Sequence, residues 1–214
     1  MSVREMSYFP IVLEMTGRRC LVVGGGAVAE RKIANLFEAG AEVTVISPEV
    51  TEAILRWSMN HSIQWQARSY RTGDLAGYQL VFVATDDTGV NDRVYREGKK
   101  YGVWVNVADD PAHCDFILPS VLRRGDLTVA VCTGGASPAA ARAIREDLEA
   151  HLTEDFAQLV QIAAEVRGEL KKKSFSAAAG AWNEALKGEF RRLIRAGEPG
   201  EAKAFLLTAL GAKP

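Results

Sequence analysis

The fold of this chain is decided by residues 20–40, CLVVGGGAVAERKIANLFEAG. An apolar run at residues 20–23 enters three consecutive glycines, and apolar residues then recur at helical spacing as far as Gly40. A β-branched run follows at residues 43–46. The stretch therefore predicts a strand, a glycine turn, a helix and a second buried strand, which together form a βαβ unit of a parallel sheet.

The same alternation of strand and helix continues beyond this unit. Further strand candidates lie at residues 63–66, 80–84 and 103–107, and helix-compatible stretches lie between them at residues 52–59 and 90–101. The pattern predicts an α/β fold with a Rossmann-type doubly wound parallel sheet.

The rhythm changes after Pro111. Two β-like runs at residues 116–122 and 127–131 are separated by the polar segment 123–126, which predicts a hairpin. Ser137 is a suitable N-cap and Pro138 a suitable first helical residue, and the helical stretch is predicted to continue over residues 139–151. From residue 152 onward the sequence is helical in character.

These patterns divide the chain into three parts. We expect a dinucleotide-binding domain at residues 1–113, a small α+β dimerisation segment at 114–150 and a helical unit at 151–214. The apolar runs of the hairpin exceed what so small a segment buries by itself, which predicts a homodimer.

Composition excludes several classes of partner. The formal net charge is −1, so no overall field attracts nucleic acid or an anionic membrane, and no segment approaches the ~20 apolar residues of a membrane span. The three cysteines, Cys20, Cys114 and Cys132, lack metal-ligand spacing, and we expect no metal site. We therefore expect a cytoplasmic protein that binds neither nucleic acid nor membrane.

The glycine motif predicts binding of a dinucleotide, because it follows a strand and opens a helix. Gly24 permits the tight turn, Gly26 lets the backbone approach a pyrophosphate, and Ala29 keeps the helix close to the sheet. The N-terminus of the helix supplies free N–H groups and the positive end of the helix dipole, both of which suit phosphates. The alternative is that the glycines only make a tight turn.

Two other strand ends are candidates for the cofactor site. Ser47, Pro48 and Glu49 follow the second strand, where NAD-binding domains usually place an acidic residue, and no arginine is present there to hold the phosphate of NADP. Glu49 is either a ribose ligand or a solvated residue at a helix start. Thr85 and Asp86 follow the fourth strand and face the same crevice, although Asp86 is equally suited to a helix N-terminus.

Asp109 is the best-placed ionisable residue for proton abstraction, because it follows the fifth strand at the edge where ligands bind. The alternative is a turn-forming role, which we assign to Asp110 before Pro111. His113 lies in the same loop and is a candidate for binding an anion or relaying a proton, or else a packing residue.

Several motifs together resemble those of the precorrin-2 dehydrogenase family, which includes the dehydrogenase and ferrochelatase portion of siroheme synthase. The resemblance runs in detail from about Tyr8 to Leu170. The most specific pair of motifs is GGGAVAERK at residues 24–32 and GGASP at residues 134–138. The others are YFPI at 8–11, ATDD at 84–87 with Asn91, NVADDP at 106–111 and FILPS at 116–120.

The resemblance implies oxidation of precorrin-2 to sirohydrochlorin, with NAD as the hydride acceptor, in an intertwined homodimer. It implies that Asp109 is the catalytic acid/base and that Ala27, Val28, Pro48 and Glu49 hold the cofactor largely through backbone groups. Thr133 stands where some members have serine, so a serine-specific role is in question. The methyltransferase domain of the fused enzymes is not expected here.

The substrate of this reaction carries many carboxylates and requires cations. The candidate cations are Arg123, Arg124 and Arg142, and charge runs of this kind are otherwise solvated faces. The turn at residues 134–135 and the helix start after Ser137 are a further candidate for a carboxylate. The full set of candidate substrate-binding residues is His113, Ser120, Arg123, Arg124, Thr133 and Arg142.

Two other functions compete with this one. The first is insertion of Fe(II) or Co(II) into sirohydrochlorin, in addition to the oxidation or instead of it. The second is a non-enzymatic NAD-sensing module, whose Rossmann start is shared but whose second strand normally ends in an acidic residue, where this chain has Ser47.

Overall fold

The computed structural model describes residues 8–175 and 177–212. Two compact units are present: the described residues up to Leu118 form the first, and those from Pro119 onward form the second. In the part of the chain that the structure describes, no helix has both the length and the apolar character needed to span a membrane. The sequence predicts three parts, with a separate dimerisation segment at residues 114–150, and this division of the chain stays a prediction.

The first unit is a five-stranded parallel sheet flanked by three helices, in the strand order β3-β2-β1-β4-β5. The strands are β1 (Arg19–Val23), β2 (Glu42–Ile46), β3 (Gln64–Gln66), β4 (Leu80–Val83) and β5 (Trp104–Val107). The helices are α1 (Ala27–Glu38), α2 (Glu52–Met59) and α3 (Thr88–Tyr101), and a short 3-10 helix covers Pro111–His113. The predicted Rossmann-type α/β fold is confirmed, with every predicted strand of this sheet within one residue of its observed ends.

The strands are apolar because both faces of the sheet are covered, as parallel sheets require. On one face, Val22 of β1 packs with Ile33 of α1 and Ile54 of α2. On the other face, Leu21 of the same strand packs in a cluster with Val94 of α3. Successive residues of a strand point to opposite faces, so each central strand contributes to both layers.

The segment between β3 and β4 contains no helix and is held by a buried carboxylate. Glu97 of α3 accepts hydrogen bonds from the Tyr70 hydroxyl at 2.5 Å, from the Gly73 amide at 2.9 Å and from the Leu75 amide at 3.3 Å. This carboxylate substitutes for the backbone pairing that a regular element provides.

The second unit consists of a hairpin and five helices. The strands are β6 (Ser120–Arg124) and β7 (Leu127–Val131), and the helices are α4 (Pro138–His151), α5 (Asp155–Lys172), α6 (Ala179–Ala185), α7 (Glu189–Arg195) and α8 (Pro199–Ala209). Ser137 caps α4 as predicted, accepting a hydrogen bond from the Ala140 amide at 3.1 Å. The helical part is built around buried Val166, Phe190 and Leu206.

The bounds predicted for the hairpin were wrong. Arg123 and Arg124 belong to β6, where they pair with Thr128 and Leu127, and the turn is only Gly125–Asp126, with Gly125 at φ +52°. A two-residue hairpin loop needs a residue with positive φ, and the glycine provides it. Phe116, expected in the first strand, instead packs its ring edge to face against Phe82, with 5.5 Å between centroids.

Candidate active site

The candidate site lies at the carboxyl edge of the first unit's sheet. The strand order reverses between β1 and β4, and the loops that follow β1, β4 and β5 begin at this edge. In open α/β sheets the crevice at such a reversal point binds the ligand. The Ala84 amide donates to the Val23 carbonyl at 2.8 Å, and the Ala108 amide donates to the Val83 carbonyl at 2.8 Å, which extends the ladder to the base of these loops.

The glycine turn is tightly packed against the sheet at Gly24 and open at Gly26. A Cβ on Gly24, which has φ +119°, would lie 2.1 Å from the Ala84 carbonyl oxygen. A Cβ on Gly26 would meet no atom of the described residues, 8–175 and 177–212, within 4 Å. Gly24 therefore allows the turn to pack on β4, whereas the space above Gly26 is available for a ligand to approach the backbone.

The start of α1 fits a dinucleotide pyrophosphate. Its N-cap, Gly26, provides no side-chain hydrogen bond, whereas α2 and α3 are capped by Thr51 and Asp87. Gly26 and Ala27 are exposed, and Ala29 is fully buried against the sheet. Uncapped N–H groups at the positive end of a helix, beside open space, suit an anionic group.

Ser47, Pro48 and Glu49 form the wall of the crevice beside the glycine turn. The Ser47 hydroxyl donates to the Glu49 carbonyl at 2.6 Å, and the Ser47 carbonyl accepts from the Trp65 indole at 3.0 Å. Pro48 and Glu49 are exposed, and the Glu49 carbonyl lies 2.1 Å from where a Cβ on Gly25 would be. The Ser47 proton is thus used to shape the loop, and the loop backbone is what faces the turn.

The loop after β4 combines a helix cap with an acceptor that lacks a partner. The Thr85 hydroxyl accepts from the Asp87 amide at 3.0 Å, Asp87 caps α3, and Asp86 is exposed. The Asn91 amide group donates to the Thr85 carbonyl at 3.2 Å. Within residues 8–175 and 177–212, the Asn91 Oδ1 atom is the buried side-chain oxygen without a hydrogen-bond partner. It provides an acceptor for an N–H group in this wall.

Asp109 follows β5 in a left-handed conformation, with φ +60°. Aspartate tolerates this region better than most residues, but the conformation is still uncommon. The residue is exposed at the end of the strand. The carboxylate interacts electrostatically with Lys32 of α1, where it favours the charged ammonium. An ionised carboxylate at this edge can accept a proton from a bound substrate.

Asp110 does more than form the predicted turn. Its Oδ2 lies 2.6 Å from Nδ1 of His113, and the His113 ring packs edge to face against Tyr95 at 4.8 Å. The backbone of Asp110 leads into the 3-10 helix that begins at Pro111. The side chain of Asp110 therefore fixes the orientation of His113. This role was not predicted from the sequence.

The other candidate substrate residues belong to the second unit. Arg124 forms ion pairs with Glu149 and Glu154, both at 3.2 Å, and donates to the Leu152 carbonyl. The Thr133 hydroxyl donates to the Ser137 carbonyl at 3.0 Å and accepts from the Ser137 amide at 3.1 Å. It therefore stabilises the turn at Gly134 and Gly135. Ser120 lies at the start of β6, and Arg123 and Arg142 are exposed.

Sequence reasoning missed Lys32, Asn91 and the role of Asp110. Lys32 and Asn91 stand inside the motifs that carry the resemblance, yet no role was attached to them. Their chemistry depends on burial and on neighbours distant in sequence. The spacing of Asp110 and His113, three residues apart at the start of a short helix, was the available signal for their contact.

Two family models match the chain. Residues 11–120 match a family described as putative NAD(P)-binding, and residues 124–151 match the sirohaem biosynthesis protein central family. The first match covers the whole glycine turn and the loop that carries Asp109.

Curated relatives are siroheme synthases. The chain is 42% identical over 207 residues to the siroheme synthase of Nitrosococcus oceani, covering 96% of this chain and 44% of that protein. It is 38% identical over 208 residues to the siroheme synthase of Nitrosospira multiformis, covering 94% of this chain and 44% of that protein. The chain thus spans less than half the length of the curated relatives it matches.

A solved structure described as SirC, precorrin-2 dehydrogenase, has a similar fold over nearly its whole length. The TM-score is 0.75 at 28% sequence identity, and the match covers 94% of this chain and 98% of that one. The chain therefore belongs to the family described as putative NAD(P)-binding, and it carries directly after that domain a segment of the sirohaem biosynthesis central family.

Proposed function

We propose that this chain oxidises precorrin-2 to sirohydrochlorin with NAD as the hydride acceptor. The observation that carries the proposal is the likeness to SirC, precorrin-2 dehydrogenase, over 98% of that chain, joined to a family match over the dinucleotide site. The siroheme synthase relatives support the same reaction.

The residues of the crevice suit this reaction. NAD supplies the acceptor for the hydride that leaves one carbon of the macrocycle. The uncapped start of α1 and the open space above Gly26 bind the pyrophosphate, and the backbone of residues 47–49 borders the adenosine side. Asp109 accepts the proton that the substrate loses as the hydride departs, so that two electrons and two hydrogens are removed in total.

The other residues of the loop position the substrate. His113 is held by Asp110 and Tyr95 beside Asp109, which gives the loop one fixed imidazole. Arg123, Arg142, Ser120 and Thr133 remain candidates for contacts to substrate carboxylates. Arg124 is a weaker candidate, because Glu149 and Glu154 already neutralise its guanidinium.

The test is anaerobic turnover of precorrin-2 with the purified chain. NADH absorbance and the sirohydrochlorin spectrum should rise together, in equal amounts, when NAD is supplied. Adding Fe(II) after the oxidation is complete asks whether metal insertion occurs as a second activity. Binding of NAD without any change in the tetrapyrrole spectrum would instead favour a sensing module.

We further propose that the chain acts as a homodimer in the cytoplasm. The two-stranded hairpin leaves strand edges for pairing, and Val121 and Ile144 of the second unit are 41% and 46% exposed. The free cysteines fit a reducing compartment. Light scattering should give twice the mass of the chain, and a monomer at micromolar concentration would contradict the proposed dimer.

A further inference from the structure

Lys32 lies in the first unit, half-buried on the sheet-facing side of α1. Its ammonium nitrogen stands 5.4 Å from the centroid of the Phe82 ring, which is buried in β4. Phe116 packs edge to face on the same ring. The cation therefore lies over one ring of an aromatic pair, and it interacts electrostatically with Asp109 at the end of the neighbouring strand.

Four influences act on the charge of Lys32. Burial lowers the pKa of this lysine below its ordinary value, and the Arg31 guanidinium lowers it further. The Asp109 carboxylate and the Cys114 thiol oppose this shift and favour the ammonium form. Within residues 8–175 and 177–212, no carboxylate lies within ion-pair distance of Lys32, whereas Lys99 and Lys203 both have such partners.

This placement of Lys32 lowers the stability of the free protein. A half-buried ammonium loses solvation, and the ring of Phe82 together with the more distant Asp109 returns only part of that loss. A methionine would cover the same aromatic pair without the loss. A residue that costs stability in the free protein is typical of a binding site.

We propose that Lys32 binds a carboxylate side chain of the tetrapyrrole substrate next to Asp109. The proposal rests on the proposed oxidation of precorrin-2. A carboxylate that enters the crevice gives the ammonium the partner it lacks, and this contact places the macrocycle edge beside the base. A charge-assisted hydrogen bond in a partly buried site is among the stronger polar contacts.

The position of Lys32 favours the substrate over the dinucleotide. Lys32 follows Gly26 by six residues, which places it about 9 Å along the helix from the uncapped N-terminus. In the proposed function, the backbone N–H groups of that N-terminus bind the pyrophosphate. Lys32 instead faces Phe82, Cys114 and Asp109, on the β4 and β5 side of the crevice.

The test compares Lys32→Met and Lys32→Arg with Lys100→Met. Lys100 is an exposed lysine that also stands over an aromatic ring, 5.2 Å from the centroid of Tyr101, so it controls for loss of a cation over a ring. For Lys32→Met, the dissociation constant of sirohydrochlorin, measured by absorbance titration, and the KM for precorrin-2 should both rise about tenfold or more. The NAD dissociation constant should stay unchanged. Lys32→Arg should restore most of the affinity, and Lys100→Met should match the wild type.

Thermal unfolding separates a binding role from a structural one. Because the buried ammonium costs stability, Lys32→Met should unfold at the same temperature as the wild type or higher, while it binds the tetrapyrrole less tightly. A lower unfolding temperature with unchanged tetrapyrrole affinity would overturn the proposal. Weaker NAD binding with unchanged tetrapyrrole affinity would also overturn it and assign Lys32 to the dinucleotide.

Failure of the proposed function gives a different result. If the wild type binds sirohydrochlorin but does not form NADH from precorrin-2, the proposed oxidation is wrong. The absorbance titration with sirohydrochlorin still decides whether Lys32 binds a carboxylate. If the wild type oxidises precorrin-2 and Lys32→Met does so with unchanged KM and unchanged affinity, the oxidation stands and the assignment of Lys32 fails.

Discussion

Asp109 and Asp110 are adjacent carboxylates with different surroundings. Asp109 is exposed at the strand end with a left-handed backbone, and its charge acts on Lys32. Asp110 is half-buried and is hydrogen-bonded to His113. The first is available to a substrate proton, and the second is engaged in holding an imidazole.

This difference predicts unequal effects of removing each negative charge. Asp109→Asn should lose roughly 10²-fold or more in turnover, the scale of general-base catalysis, with unchanged NAD affinity. Asparagine tolerates positive φ as aspartate does, so the backbone is preserved. Asp110→Asn should cost much less, through a less well-oriented His113. Steady-state rates of NADH formation check this. A larger loss for Asp110→Asn than for Asp109→Asn would show that Asp109 is not the base.

Tyr70 gives the fold a dependence on alkaline pH. Burial, with a further contribution from the hydrogen bond to Glu97, raises the pKa of Tyr70 far above its ordinary value. A raised folded-state pKa means that the native state keeps a proton which the unfolded chain releases. The resulting stability is present in full below about pH 10, the ordinary tyrosine value, and is lost as the pH rises above it.

Tyr70→Phe tests this dependence. At pH 7 the variant should be about 1 kcal/mol less stable than the wild type in urea unfolding, since it loses one hydrogen bond to a buried carboxylate. Above pH 10 the difference in unfolding free energy between the two proteins should shrink. Only the wild type has a phenol that ionises more readily in the unfolded chain, so only the wild type loses stability there. A difference that stays constant from pH 7 to pH 11 would show that Tyr70 ionises equally in both states.

At the scale of elements, Gly24 and Gly26 in the turn between β1 and α1 have different surroundings, so we expect different roles for them. Gly24 has a left-handed backbone and closely approaches the Ala84 carbonyl, whereas Gly26 has φ −82° and open space where a side chain would be. A side chain is therefore excluded at Gly24 by the protein itself. At Gly26 only a ligand would exclude it.

Valine at each position should separate these two roles. Gly26→Val should keep the wild-type circular dichroism and unfolding temperature but lose NAD binding, because the added methyl groups occupy the space of the pyrophosphate. Gly24→Val should lower the unfolding temperature substantially through steric overlap and backbone strain. Calorimetric titration with NAD provides the measurement, and unchanged affinity in folded Gly26→Val would contradict the proposed cofactor site.

At the scale of the whole molecule, the apolar cores are separate. Two buried clusters are drawn from the strands and helices of the first unit, and a third is drawn from the helices of the second. The division falls after Leu118. The loops of the proposed dinucleotide site, which follow β1, β2 and β4, all belong to the first unit.

A fragment of residues 1–118 should therefore fold by itself and bind NAD with an affinity close to that of the full chain. It contains both sheet-facing clusters and all the strand ends of the crevice. Circular dichroism and a titration with NAD check this. A fragment that is unfolded in buffer would show that the second unit is required for the first to be stable.

The sequence by itself determined the Rossmann-type sheet, the glycine turn and the placement of Asp109, because these follow from local signals. Apolar runs, glycines between a strand and a helix, and the end of a strand are all readable within a few residues. The Ser137 cap was readable for the same reason. The bounds of the hairpin were not, since pairing register depends on which residue takes the left-handed turn position.

Only the tertiary structure decided which polar groups are buried and what they face. Glu97 appears as an ordinary helical glutamate in the sequence, yet it becomes the anchor of residues 70–75 through contacts more than twenty residues distant. Lys32 appears as a surface lysine in the sequence, yet it is half-buried and its ammonium lies over the ring of Phe82. Burial and charge depend on long-range packing, and that packing is not written in the spacing of neighbouring residues.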